Sequence, residues 1–253
     1  MKYGLQLYSV RDLAAKDFEA ALKQVAEMGY DLVESAGFFG LKAEEVRAML
    51  DHYGLTICST HTGFQETFER FERTLDYHKK VGCSNLILPS TLFATKEGLD
   101  YSIASINRFQ PILEAEGIRL HYHNHHREFL PNRDGLIPMD ELAKRTNINF
   151  ELDTFWVFEA EKNPTEIIDL YRDRVSFIHL KDGIPSRELG NLPGYAKGTS
   201  LGQGRAPVEE VRRLAIERGL TIVVESEGLD PTGPEEAKRC IDYLKSLDAR
   251  DGI

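Results

Sequence analysis

Short β-rich runs alternate along the chain with segments whose apolar residues step by three and four. The runs are KYGLQLYS from Lys2, YDLVES from Tyr30, LTICSTH from Leu55, SNLILPS from Ser84, IRLHYHNH from Ile118, INFELDT from Ile148, VSFIHLKD from Val175 and LTIVVESE from Leu220. Their branched and aromatic content predicts eight strands. Between them, stripes such as Phe18, Ala21, Leu22, Val25 and Met28, or Phe64, Phe68, Phe71 and Leu75, predict amphipathic helices. Gly29, Gly54, Gly82, Gly117 and Gly219 stand where helices should stop, and Pro164, Pro207 and Pro234 where later helices should open.

Strand and helix alternating eight times favour an α/β fold, a single closed (β/α)₈ TIM barrel over residues 1–253. An open doubly wound sheet would more often carry a glycine turn after its first strand; here that turn reads YSVRDLAAKD. One connection breaks the rhythm. After VSFIHLKD, the run GIPSRELGNLPGYAKGTSLGQGR is rich in glycine and proline, and its length predicts a lid over the barrel mouth.

Composition narrows the function classes. The 41 acidic and 31 basic residues give a net charge of −10, which repels a polyphosphate backbone, and no basic stripe offsets it, so no nucleic-acid partner is expected. No apolar run reaches the ~18 residues of a membrane span, and MKYGLQLYSV reads as a strand, which together predict a cytoplasmic protein with no membrane partner. The three cysteines, Cys58, Cys83 and Cys240, have no ligand-like spacing and read as buried small hydrophobes.

Polar residues gather at the C-terminal ends of the predicted strands, where barrel enzymes place their sites. They are Gln6 and Tyr8, Glu34, His61, His121 to His125, Asp153, His179 to Asp182, and Glu225 with Glu227. Alternation puts His121, His123 and His125 on one face of strand 5, His179 with Lys181, and Glu225 with Glu227. A lone His or Asp at a strand end ordinarily caps a loop, but four of the eight histidines fall within His121 to His126. A convergent imidazole and carboxylate set suits Mn²⁺, Zn²⁺, Co²⁺ or Fe²⁺ better than Ca²⁺. His121 lies deeper and reads as a core hydrogen-bonding residue, and His126 has the wrong parity for a ligand. GQG at Gly202 to Gly204 reads as a turn in preference to a phosphate loop.

LQLYSVRD, GYDLVE, YHNH, ELDT, IHLKD, LGQG and VVESEG, in that order, resemble the xylose isomerase-like TIM barrels of the sugar phosphate isomerase/epimerase family. The resemblance extends over essentially the whole chain. It implies one divalent metal ion held by Asp153, His179 and Glu225, with His123 standing where the epimerases have Glu. This YHNH variant is similar to a branch that includes inosose dehydratase-like proteins.

The resemblance implies a divalent-metal-dependent isomerase or epimerase that works on a sugar or keto-sugar through a metal-stabilised enediolate, with a metal-dependent lyase as the alternative. In this reading Glu225 is the base, Glu34 or Glu128 a second acid, and Lys181 the donor to the developing oxyanion. Tyr8, His61, His125 and Trp156 wall the substrate pocket. An endonuclease IV-like repair enzyme shares the barrel, but the net charge opposes it. A non-catalytic sugar sensor is opposed by Asp153, His179, Glu225 and Lys181. Phe38 and Phe39 after strand 2 would serve either the substrate or a second copy of the chain.

Overall fold

The computed structural model describes residues 1–253. Eight parallel strands close into a barrel: β1 (Gly4–Gln6), β2 (Leu32–Ser35), β3 (Thr56–His61), β4 (Asn85–Leu88), β5 (Arg119–His123), β6 (Asn149–Asp153), β7 (Val175–Leu180) and β10 (Thr221–Val224). Each lies within one of the runs singled out above. The ring closes where Leu5 pairs with Val33 on one side and Val224 on the other. β8 (Asp182–Ile184) and β9 (Lys197–Thr199) form a separate antiparallel pair, inside the glycine-rich connection. No helix is long and apolar enough to cross a membrane.

The helices start and stop for local reasons. Gly29 closes the helix Phe18–Met28 in the left-handed region (φ 92°), and Asp17 opens it by accepting from the Ala20 N–H. Pro164 and Pro234 sit in the first turns of later helices. The stripe from Phe64 to Leu75 differs from expectation, because it breaks at Arg70 into helices Phe64–Glu69 and Phe71–Val81. The break lets Phe68 and Phe71 both meet the Phe109 ring, at 5.4 and 4.8 Å.

Strand alternation sorts the barrel into two media. Leu5, Val33, Leu86, Leu120, Tyr122, Leu152, Ile178 and Val224 join one apolar cluster with the surrounding helices. Full burial of each such side chain contributes about 1.5–3 kcal/mol. The alternate positions, among them Gln6, Glu34, Ser59, His121, His123, Glu151, Asp153 and His179, are also buried but polar. At the opposite end from this polar set's opening, Arg212 is fully buried. It donates to the Tyr3 hydroxyl (2.9 Å), to Asp251 (2.6 Å) and to Asp248, which also accepts from Tyr3 (2.6 Å).

His121 is the core histidine expected from its depth. Its Nε2 is 3.2 Å from Asn85 Oδ1, and its ring meets Phe177 edge-on at 5.2 Å. Burial, helped by Arg119, pushes its pKa down from 6.5 to about 4, so the folded protein keeps it neutral. The unfolded chain takes up a proton between those values and the folded chain does not, so stability falls as pH falls through this window. His121→Gln should flatten the loss by up to about 1.4 kcal/mol per pH unit, measured by urea unfolding between pH 4.5 and 7. An unchanged slope would assign the acid sensitivity to other groups.

Candidate metal centre and active site

The barrel interior carries its charge in two layers. In the deeper one, Glu34 Oε1 accepts from Gln6 Nε2 at 2.7 Å and lies 2.6 Å from His179 Nε2 and 3.1 Å from His61 Nε2; its other oxygen accepts from Ser59. Glu151 Oε2 lies 2.7 Å from His61 Nε2, 3.2 Å from His123 Nδ1 and 3.3 Å from His179 Nε2. Burial alone would lower the His61 pKa, but Glu34 and Glu151 outweigh it and raise it to about 10. Burial likewise works to raise Glu34, yet His61 and His179 hold it well below the usual carboxylate range.

The upper layer faces the mouth. His123, Asp153, His179 and Glu225 each bring one ligating atom to within 4.8 Å of the others. Asp153 caps the helix Thr154–Glu159, its Oδ1 accepting from the Trp156 N–H at 2.8 Å. This fixes the carboxylate and leaves Oδ2 buried without a partner. His179 Nδ1 is also buried without a hydrogen bond, 3.4 Å from Glu225 Oε2, while its Nε2 is committed to Glu34 below. Carboxylates behind metal-ligating histidines commonly set tautomer and ring direction in this way.

Lys181 completes the layer. Its ammonium lies 2.8 Å from Glu227, 3.4 Å from Glu225, 3.9 Å from Asp153 and 4.6 Å from the Trp156 ring centroid. Burial would lower its pKa, but Glu225, Asp153 and Glu227 raise it, and it stays charged. Burial raises the Asp153 carboxyl to about 7 against the pull of Lys181. Lys181 and His179 override burial at Glu225 and hold it ionised. Burial keeps His123 neutral, whereas at His179 Glu151 and Glu34 outweigh burial and raise the imidazole well above 6.5, so that a metal ion would have to displace its proton.

These residues fit a divalent cation. Three carboxylates, Asp153, Glu225 and Glu227, surround the one ammonium of Lys181, and two buried atoms without a hydrogen-bond partner, Asp153 Oδ2 and His179 Nδ1, belong to this layer. His61, His123, Glu151 and His179 also lie close enough to hold an ion. There Glu151 Oε1 is unpartnered, but the imidazole nitrogens of His61 and His179 are already committed to Glu34 and Glu151. The upper set is the better site.

A cavity of about 450 Å³ opens over this layer, lined by Tyr8, His61, His123, His125, Glu225 and Glu227 among others. Trp156 lies beside Lys181, and His125 and His126 face its ring at 5.8 and 5.7 Å. Two expected acids lie elsewhere. Glu34 is fully enclosed in the deeper layer, and buried Glu128 accepts from the Tyr122 hydroxyl (2.7 Å) and the His125 N–H (3.0 Å). Glu151 was not singled out from sequence, although it shares the parity of Asp153 in FELD.

The glycine-rich connection is tied down by two carboxylates. Asp182 accepts from the N–H groups of Gly202 (3.0 Å), Gly204 (2.9 Å) and Ala206 (3.0 Å), so the GQG amides are committed to a protein group. A Cβ on Gly204 would stand 2.1 Å from Asp182 Oδ1. Glu159 accepts from the N–H groups of Ser186 (3.0 Å) and Gly194 (2.9 Å).

Residues 22–247 match the xylose isomerase-like TIM barrel family. The chain belongs to that family. This xylose isomerase-like barrel is 22% identical over 189 residues to an inosose dehydratase of Geobacillus kaustophilus, in an alignment covering 65% of this chain and 61% of that one. It is 20% identical over 244 residues to an inosose dehydratase of Clostridium beijerinckii, covering 83% and 82%. Among solved structures, a sugar phosphate isomerase/epimerase from Parabacteroides distasonis superposes with a TM-score of 0.78 at 24% identity, over 96% of this chain and 93% of that one.

Metal analysis of this xylose isomerase-like barrel after gentle purification should find about one divalent ion per chain. Asp153→Ala and His179→Ala should each weaken binding by tenfold or more, the range reported for loss of even an outer-shell partner. Unchanged metal content in both variants would remove the ligand assignment.

Proposed function

We propose that this chain is a divalent-metal-dependent enzyme that withdraws the proton beside the ketone of a sugar or keto-polyol, with isomerisation or epimerisation as its outcome. The observation that carries the reading is the convergence of unpartnered Asp153 Oδ2 and His179 Nδ1 with Glu225 under an open cavity, beside charged Lys181. His123, Asp153, His179 and Glu225 would hold the ion, with Mn²⁺, Zn²⁺ or Co²⁺ suiting their mixed donors. When bound, such an ion supplies Lewis-acid polarisation of a carbonyl.

The chain's own residues supply the rest. Glu225, kept ionised by Lys181 and His179, accepts the proton. The Lys181 ammonium donates to the oxygen on which negative charge develops. Tyr8, His61 and His125 border the substrate, while Glu34 acts as a positioning residue that holds the His179 ring through Nε2. The GQG amides, occupied by Asp182, offer no phosphate cradle, which favours an unphosphorylated substrate.

A second reading, dehydration, is favoured by His123. Epimerisation by two carboxylates needs a second one opposite Glu225, and here that position is a neutral imidazole. Elimination needs one base plus an acid for the departing hydroxyl, a role that Lys181 can fill. The two inosose dehydratase relatives support this completion.

Both readings share the first step. In heavy water, the metal-loaded protein should exchange the C–H beside the ketone in a panel of ketohexoses and inososes, and Glu225→Gln should slow exchange by about 10²-fold or more. In ordinary water, a new product with the mass of the substrate indicates isomerisation or epimerisation, and loss of water indicates dehydration. Normal exchange in Glu225→Gln would remove it as the base.

A further inference from the structure

A second cavity, of about 320 Å³, adjoins the one over the metal centre. It lies between the segment after β2 and the helices after β3, and it shares two lining residues, Gly37 and His61, with the first. Each cavity alone has the ~300 Å³ or more typical of a small-ligand site. A single six-carbon ring seated over Glu225 and Lys181 therefore leaves the second space unfilled.

The lining indicates what belongs there. Three of its twelve residues are hydrophobic, too few for an alkyl chain. Phe38 and Tyr77 form an aromatic pair with centroids 4.5 Å apart, and Tyr77 is pinned by its hydroxyl donating to the Leu41 carbonyl at 3.1 Å. Arg73 is largely free, with Glu66 as its ion-pair partner only at 3.8 Å. One arginine is a weak anion site when a glutamate stands beside it. An aromatic surface bordered by separate polar groups instead fits a ring with an apolar face and a polar edge.

The junction is kept open by Gly37, whose φ of +88° disfavours a side chain and whose missing Cβ has no atom within 4 Å. On the other side His61 is immobilised by Glu34 and Glu151, so the wall between the two spaces is rigid. We infer that the substrate is a glycoside-like, two-ring molecule: a reacting sugar ring over the His123, Asp153, His179 and Glu225 cluster, with a second ring linked to it and held between Phe38, Tyr77 and Arg73. This deepens the function proposed above and rests on its placement of the reacting ring.

The test is calorimetric titration of the metal-loaded full chain with the 3-keto forms of glucose, galactose, mannose and xylose and with the 3-keto forms of their phenyl β-glycosides, which keep a ring ketone when C1 is blocked. At least one glycoside should bind tenfold or more tighter than its parent sugar. Gly63 lines the second cavity with an ordinary φ of −60° and open space where its Cβ would go. Gly63→Phe should cut the difference to within threefold while metal content, melting temperature and parent-sugar affinity stay as in the unmodified protein. Phe38→Ala, which removes the stacking surface without filling the space, gives the same readout if Gly63→Phe does not fold. Equal affinities for every pair, absence of binding by all eight probes, or a difference that survives both variants would overturn the inference. Metal bound in the unmodified protein, with free sugar bound and no glycoside preference, removes this inference alone. A glycoside preference with no metal retained removes the metal-dependent reading alone.

Discussion

Four carboxylates, Glu34, Glu151, Asp153 and Glu225, are buried within one ring of strands, and their electrostatics govern the rest of the interior. An isolated carboxylate transferred to such a medium costs several kcal/mol even after relaxation. The deeper pair meets that cost from within, because His61 and His179 lie between Glu34 and Glu151. The upper pair does so only in part, since Asp153, Glu225 and Glu227 share Lys181, and His179 stands beside Glu225 alone of the three. The deficit lies where the barrel opens to solvent. Burial relieves part of it at Asp153, whose carboxyl it raises to about 7, so that a proton shares the site.

His179 joins the two layers. One nitrogen is held by Glu34, which is itself held by Gln6 and Ser59, and the other is free beside Glu225. Four strands thus contribute to the direction of one imidazole ring. The residues at the bottom of the chain of contacts never reach the cavity, yet they determine what the cavity presents.

The fold was legible because its signals are local. Branched and aromatic runs, the glycines at Gly29 and Gly54, and the prolines at Pro164 and Pro234 act within a few residues of themselves. The gathering of Asp153, His179, Glu225 and Lys181 was also legible, because parity and the common end of the strands place them without further information. What a carboxylate is paired with was not. Asp182 follows Lys181 in sequence, but its oxygens turn to amides some twenty residues on, and Glu34 is enclosed by groups from three other strands. Glu151 passed unnoticed for a related reason, since one acid in an apolar run carries no mark of the imidazoles that surround it. The cavity beside Phe38 and Tyr77 forms between segments 37–41 and 61–78 of two consecutive strand–helix units, and neither contains a motif.

The clasp of Arg212, Tyr3, Asp248 and Asp251 bears on the order in which the molecule can be built. β1 pairs with β10, and Tyr3 shares its hydroxyl with a helix that follows β10. A chain made from its N-terminus releases β1 first, but the strand that closes its far side comes last. Without β10, β1 lacks its partner on one side and the ring cannot close. Closure requires contacts between residues more than two hundred positions apart, and pairings of that separation slow folding. The site draws on strands from both ends of the chain, from Glu34 behind His179 to Glu225 after β10, so it is complete only when the ring is closed.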